Sequence, residues 1–247
     1  VAAGCYVQSG EEELKAKETA DVLIGNNKKK DIVRILDEYF KKREKTSEVL
    51  DISATKEYES LTIHKVSEHT RAYIKIQDGC NQFCSYCIIP YTRGRIRSKR
   101  PEEVIREIRT LAEKGYREVV LTGIHLSSYG MDFEGEKNVN LLSIIQKVQK
   151  IDGIDRIRLG SLEPRIITEE FAQGLKECDK VCPHFHLSLQ SGCDETLKRM
   201  NRKYTTEEYR KALTILRNTF EHPALTTDVI VGFAGETEEE FEKTRAY

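Results

Sequence analysis

The sequence predicts an α/β fold: a parallel sheet built as an open (β/α) barrel or a doubly wound sheet, following part of a smaller α/β unit. Two observations carry this. From residue 71 onward, β-rich runs at 72–76, 118–121, 156–159, 185–189 and 227–231 alternate with amphipathic segments. Branched and aromatic side chains suit a pleated surface. Alternating strands and helices call for parallel pairing through right-handed crossovers. Ahead of that rhythm, residues 1–57 hold a short apolar run and a helical stripe of their own.

Taken in order, residues 1–5 (VAAGC) read as the tail of a buried strand entering mid-domain. The apolar run 22–24 is closed by Gly25-Asn26-Asn27, which suits a strand and a turn. Within 31–45, Ile32, Ile35, Leu36, Tyr39 and Phe40 fall at helical spacing and form one apolar stripe. The stretch 57–70 is polar and irregular. The expected division is therefore a first unit at 1–57, a linker at 58–70 and a larger unit at 71–247.

In the larger unit, 101–114 opens with proline at a helix N-terminus and puts Val104, Ile105, Ile108 and Leu111 on one face. Residues 141–150 carry Leu141, Leu142, Ile145 and Val148 in the same way. The helix expected at 204–220 begins with a capping box, Thr205-x-x-Glu208. Another starts at 236–240, and the chain stops at Tyr247 inside it. With Val1 in place of an initial Met, the sequence reads as an internal fragment.

A chain of 247 residues can form one large core or two domains. The formal net charge is -1 with 33% charged residues, which describes a solvated surface. The runs Lys28-Lys29-Lys30 and Glu11-Glu12-Glu13 need no other explanation. No stretch approaches the roughly 18 apolar residues of a membrane span, and no signal-peptide pattern opens the chain. Seven cysteines, an odd number with three of them packed together, fit a reducing cytoplasm better than a disulfide scaffold.

Those three cysteines stand in GCNQFCSYC as Cys80-x-x-x-Cys84-x-x-Cys87. Thiolates this close can share one cubane iron–sulfur cluster. Three ligands leave one iron of a four-iron cluster open, and an open iron can bind a small molecule. Zinc sites usually pair a Cys-x-x-Cys knuckle with a second pair downstream, and no such pair is present. Parallel α/β sheets place ligands at the carboxyl ends of their strands. Here those ends read Gly79-Cys80, Thr122-Gly123, Ser161-Leu162-Glu163-Pro164, Gln190-Ser191-Gly192 and Gly232. Arg93, Arg95, Arg97, Lys99 and Arg100 follow the cysteine loop as a basic segment. It is either a solvated face or a set of cations for RNA phosphates at the site mouth.

With these motifs in view, the chain resembles the methylthiotransferases among the radical S-adenosylmethionine (SAM) enzymes. The stretches RAYIKIQDG at 71–79, CIIPYTRGRIR at 87–97, PHFHLSLQSG at 183–192 and MNRKYTTEEY at 200–209 carry the likeness. They point most strongly to the branch acting on threonylcarbamoyladenosine in tRNA. The isopentenyladenosine branch shares the PYTRGR run and resembles the other stretches less. The resemblance implies a partial radical SAM barrel behind the remnant of a small α/β N-terminal methylthiotransferase domain.

The resemblance further implies a [4Fe–4S] cluster on Cys80, Cys84 and Cys87 whose open iron chelates SAM. Cleavage of SAM there yields a 5′-deoxyadenosyl radical that abstracts hydrogen. Tyr86 matches an aromatic near the SAM adenine, and Gly123 the strand end that receives the SAM amino group. Glu163, Gln190, Ser191 and Gly232 are the remaining expected SAM contacts, although loop hydrogen bonds would also explain the polar ones. Cys5 matches the last of three ligands to a second cluster, the sulfur donor of the full-length protein. Ala234 replaces the proline usual in GFPGE. Cys178, Cys182 and Cys193 are expected to be structural. The implied partners are a tRNA anticodon loop, SAM, and a reductant such as flavodoxin or ferredoxin. A non-enzymatic, metal-stabilised RNA-binding module remains the alternative from another class.

Overall fold

The computed structural model describes residues 1–61, 70–136 and 138–247. At the start of the chain, β1 (Ala2–Ala3) leads through α1 (Cys5–Ala16) to β2 (Val22–Ile24). Helix α2 (Ile32–Lys42) and β3 (Thr46–Glu48) follow. The three strands form a parallel sheet in the order β1-β2-β3. Strand β2 is buried on both faces because its side chains alternate. Leu23 packs against Val7 and Leu14 of α1, while Val22 and Ile24 pack against Ile35 of α2.

A second, larger sheet begins with β4 (Ala72–Asp78), followed by α3 (Ile89–Thr92), β5 (Arg97–Ser98), α4 (Pro101–Glu113) and β6 (Glu118–Gly123). Next come α5 (Leu141–Val148), β7 (Arg156–Leu159), α6 (Glu169–Lys176) and β8 (His184–His186). Helices α7 (Asp194–Arg199) and α8 (Thr206–Thr219), strand β9 (Ala224–Thr226) and α9 (Glu238–Ala246) complete the described chain. Strands β4, β6 and β7 pair in parallel, and β5 closes the β4 edge antiparallel. Single bridges at Ile157–Val181 and Leu162–Leu187 carry the sheet on to the parallel pair β8–β9. Five parallel strands thus follow one another in chain order, joined by helical crossovers. Their inner side chains, among them Ile74, Ile76, Leu121, Ile157 and Phe185, share one core with Val104, Ile108 and Leu111 of α4 and Leu216 of α8.

Local signals set several helix ends as the sequence indicates. Pro101 stands in the first turn of α4, and the Thr205–Glu208 box caps α8 reciprocally. The last strand departs from expectation. Residues 227–231 were predicted as β, but the ladder runs over Ala224–Thr226 and only Val229 bridges beyond it, to Gln190. The Thr227 hydroxyl contacts the Leu189 N–H and the Leu187 carbonyl, and Gln190 turns to φ 67°. That side-chain bonding and the turn interrupt regular pairing. The start of the expected linker is also packed. Tyr58 donates to the Lys75 carbonyl at 2.6 Å, and buried Glu59 accepts the Lys30 N–H at 3.0 Å. Residues 62–69 of that linker lie outside the described residues. No helix among the described residues is long and apolar enough to cross a membrane.

Leu121 is fully buried at the centre of the larger sheet. Leu121→Ala should therefore cost about 2–5 kcal/mol, the lost transfer energy plus a cavity. Chemical denaturation should show this as a lowered midpoint with an unchanged slope.

Candidate functional site

The polypeptide leaves β4 through a turn that only glycine fits. Gly79 has φ 70°, and a Cβ there would lie 1.8 Å from the Arg95 carbonyl oxygen. The close approach lets Cys80 N–H donate to Gly94 O at 3.0 Å. The other side of the cysteine loop is held by the segment after α7. Asn201 Nδ2 donates to the Phe83 carbonyl at 2.7 Å, and Ser85 N–H to Met200 O at 3.0 Å. Ser85 Oγ adds a bond to Arg199 O at 2.8 Å. Arg202 then reaches over, its Nη1 donating to Cys84 Sγ at 3.2 Å and its guanidinium 4.8 Å from the Tyr204 ring centroid.

Cys80, Cys84 and Cys87 line one cavity of about 150 Å³ with Tyr86, His125, Ser161, Glu163, Ser188 and Arg202. Burial raises the Cys80 thiol above its ordinary value; the Gln82 N–H opposes this and the two neighbouring cysteines add to it. Burial also opposes the charge on Arg202, but Tyr204 and Cys84 outweigh it and hold the guanidinium protonated. Burial, with Arg202 nearby, pushes His125 down to about 4. Burial raises Glu163 above the usual carboxylate range, partly offset by Arg165 and Arg202. His125 Nε2 stands 3.8 Å from Glu163 Oε2 and has no hydrogen-bond partner among the described residues.

Among the described residues no three His, Cys, Asp or Glu side chains gather closely enough to hold a single metal ion. The three thiols instead surround a shared space. A polynuclear cluster suits that arrangement, because each thiolate takes its own iron. Three thiols with one cation beside them fit the donor chemistry of such a cluster.

The remaining sequence-predicted residues are distributed more widely. Gly123 does not itself line the cavity; it abuts Gln77, whose Oε1 accepts the N–H of the cavity residue His125 at 2.7 Å. Ser191 was expected at the ligand, but its buried hydroxyl bonds Thr244 Oγ1 at 3.0 Å and Cys193 N at 3.2 Å. Ser188, three residues earlier, lines the cavity instead. Gln190 is occupied through its backbone with Asp228 and Ile230 and does not line the cavity. Gly232 is exposed, its N–H bonded to Glu236 Oε2 at 2.6 Å.

Cys5 sits in the first turn of α1 and does not line the cavity of the trio. Its Sγ accepts from Arg93 Nε at 3.1 Å and Asn26 Nδ2 at 3.4 Å. Burial would raise this thiol, yet Asn26 and Arg93 together bring it below its ordinary value. Cys178 and Cys193 are buried, Cys178 Sγ on Gly174 O and Cys193 Sγ on Glu195 Oε2, while Cys182 is half-buried.

The basic segment is not the continuous cationic face that its spelling allows. Arg97 is 1% exposed and donates to the Arg93 carbonyl, and Lys99 is buried in an ion pair with Glu107. Arg93 is engaged by Cys5 and Asp78, and Arg100 pairs with Glu136. Arg202 and His125 are site residues that sequence reasoning did not single out. Arg202 lay within the quoted MNRKY run, and His125 two residues past Gly123, so proximity to motifs was the available signal.

Residues 74–247 match the Radical SAM superfamily. The chain belongs to the radical SAM superfamily. Over 98% of its length it is 42% identical to the threonylcarbamoyladenosine tRNA methylthiotransferase MtaB of Bacillus subtilis, covering 53% of that protein. It is 37% identical, again over 98% of its length, to a tRNA-2-methylthio-N(6)-dimethylallyladenosine synthase of Clostridium botulinum, covering 53% of it. The chain thus spans about half the length of these curated relatives. In fold it is similar to the cobalamin-dependent radical SAM enzyme OxsB, with a TM-score of 0.66 at 14% identity. That match covers 98% of this chain and 38% of the other. As a radical SAM protein, the chain is one whose cofactors are a [4Fe–4S] cluster and SAM.

The depressed His125 value has a stability consequence. Below the ordinary value of 6.5 the unfolded chain takes up a proton at this position, whereas the folded chain does so only near 4. Stability should therefore fall as pH drops from about 6.5 to about 4. Glu163 acts in the opposite direction, losing stability as pH rises above the usual carboxylate value, because its folded pKa is raised. Thermal melts of wild type and His125→Asn across this range isolate the histidine. The difference between them should change steadily from pH 6.5 to 4 and flatten outside that window.

Proposed function

We propose that this chain is the SAM-cleaving part of a tRNA methylthiotransferase, placing a methylthio group on C2 of threonylcarbamoyladenosine beside the anticodon. One observation carries the reading: three cysteines and a half-buried arginine surround a single cavity at the carboxyl end of a parallel sheet. The target is an unactivated aromatic C–H bond, which offers no acid–base route, so a cofactor must supply the hard step. A cluster held by Cys80, Cys84 and Cys87, with SAM bound beside it, would supply one-electron radical chemistry for that step.

The chain's own residues bind, orient and exclude water. Cys80, Cys84 and Cys87 are the cluster ligands, and Arg202 offsets thiolate charge at Cys84. Tyr86 offers a ring wall for an adenine, its own edge set by Phe233 with ring centroids 6.2 Å apart. His125, kept neutral by burial, and Glu163, whose carboxyl is raised by burial above the usual range, present hydrogen-bonding atoms to the polar groups of SAM. Residues 1–57 form a methylthiotransferase-domain segment joined through 58–70 to a barrel at 71–247. Cys5 suits one ligand of a second, sulfur-donating cluster, as its thiol is already stabilised in charged form. It is the single cysteine in residues 1–57, and one thiolate cannot secure a cubane.

The RNA partner is an anticodon loop, whose unpaired bases can be splayed into a pocket. The reductant is a flavodoxin or ferredoxin, and the compartment is the cytoplasm. The dimethylallyladenosine reading is second. Over equal coverage, identity is 42% to the threonylcarbamoyl relative and 37% to the other.

Two measurements test the reading. Anaerobic reconstitution of this chain should give about four irons and dithionite-dependent release of 5′-deoxyadenosine. Cys84→Ala should abolish that release, and release at the wild-type rate would refute the cluster assignment. Nucleoside mass spectrometry of tRNA from cells lacking and regaining the full-length gene should show 2-methylthio-threonylcarbamoyladenosine lost and restored. A change confined to the dimethylallyl nucleoside would favour the second reading.

A further inference from the structure

Packing and pairing occupy four of the five cations between residues 93 and 100, as set out above. Arg95 differs. It is exposed and makes no ion pair among the described residues. Its guanidinium carbon lies 4.6 Å from the centroid of the Phe83 ring. Phe83 in turn meets Tyr91 edge to face, with centroids 5.7 Å apart and planes at 82°. Tyr91 is 64% exposed, and no hydrogen bond of its hydroxyl is found among the described residues.

The backbone beneath these side chains is fixed to the cysteine loop. Arg95 O closes on Gly79, Gly94 O accepts from Cys80, and Ile96 N–H donates to Asn81 Oδ1 at 3.3 Å. Phe83 lies between Cys80 and Cys84, and Tyr91 follows Cys87 on α3. A cation and two rings are thereby carried on the loop that bears the cluster ligands. An arginine without an ion pair, beside the exposed Tyr91 ring and the half-buried Phe83 ring, matches the combination that binds single-stranded nucleic acid. The rings stack on bases whatever their sequence, and the guanidinium takes a phosphate.

We propose that Tyr91, Phe83 and Arg95 form a platform on which an unpaired base of the RNA substrate stacks while Arg95 holds an adjacent phosphate. The proposal rests on the tRNA reading above and adds the surface that presents the RNA to the site. It also narrows the cationic contribution of residues 93–100 to one side chain.

The test uses the full-length, reconstituted enzyme and its tRNA, with binding measured across a salt series and iron content as the folding control. Tyr91→Ala should weaken tRNA binding about 5- to 150-fold, the range for loss of one base–aromatic stack. It should do so with an unchanged slope of log affinity against log salt. Tyr91→Phe should bind like wild type. Arg95→Ala should lower the magnitude of that slope by about 0.7, as expected for one phosphate contact to a single strand. Wild-type affinity and slope in both alanine variants, while the unaltered enzyme still methylthiolates tRNA, would overturn the platform alone. An enzyme that neither binds nor methylthiolates tRNA would overturn the functional reading and the platform with it.

Discussion

The site depends on one close approach of backbone to backbone, at Gly79 and Arg95. A loop that offers three thiolates within eight residues must be irregular, and an irregular loop at the end of a strand would ordinarily move. Here the segment after it folds back until the Arg95 carbonyl occupies the space a Cβ at Gly79 would need. That return places β5 against β4 and sets Cys80 with a bond to Gly94. The opposite flank is closed by Met200, Asn201 and Arg202, which come from the turn between α7 and α8. Two segments far apart in sequence thus hold one loop between them, and the thiols inherit their positions from both.

Electrostatics follows from that burial. Burial and the two neighbouring cysteines disfavour ionisation of Cys80, and a cluster needs its thiolate. A guanidinium on Cys84 supplies a permanent positive charge where it is needed, and Tyr204, bonded to two backbone carbonyls, backs it with a ring. On the far wall burial keeps His125 neutral and raises Glu163 above the usual carboxylate range, so the cavity offers hydrogen-bonding groups there. A second arginine, Arg93, performs the corresponding service for Cys5 while also reaching Asp78 at the end of β4. Through it the first unit and the cysteine loop are electrostatically joined.

Much of this was legible in the sequence because it is local. Cysteine spacing, the Thr205–Glu208 box and the apolar stripe of α4 depend on near neighbours, and the sequence displays near neighbours directly. What escaped was set by distant partners. Lys99 reads as a surface cation until Glu107, two turns into α4, is found to bury it. Ser191 reads as a ligand contact until α9 brings Thr244 to its hydroxyl. Residues 227–231 have strand composition, yet the Thr227 hydroxyl and the left-handed Gln190 leave them outside the regular ladder. Arg202 was visible only as part of a quoted run, since nothing local indicates that a guanidinium will cross to Cys84.

The central claim is that the cavity holds a cluster with one iron open to SAM, rather than a metal that only secures the fold. Electron–nuclear double resonance on the reduced, reconstituted chain, with SAM isotopically labelled at its amino nitrogen, addresses this directly. The account predicts a strong hyperfine coupling between the cluster spin and that nitrogen, as a direct iron–nitrogen bond produces. A reconstituted cluster that shows no coupling to labelled SAM, or a protein that retains zinc and takes up no iron, would contradict it.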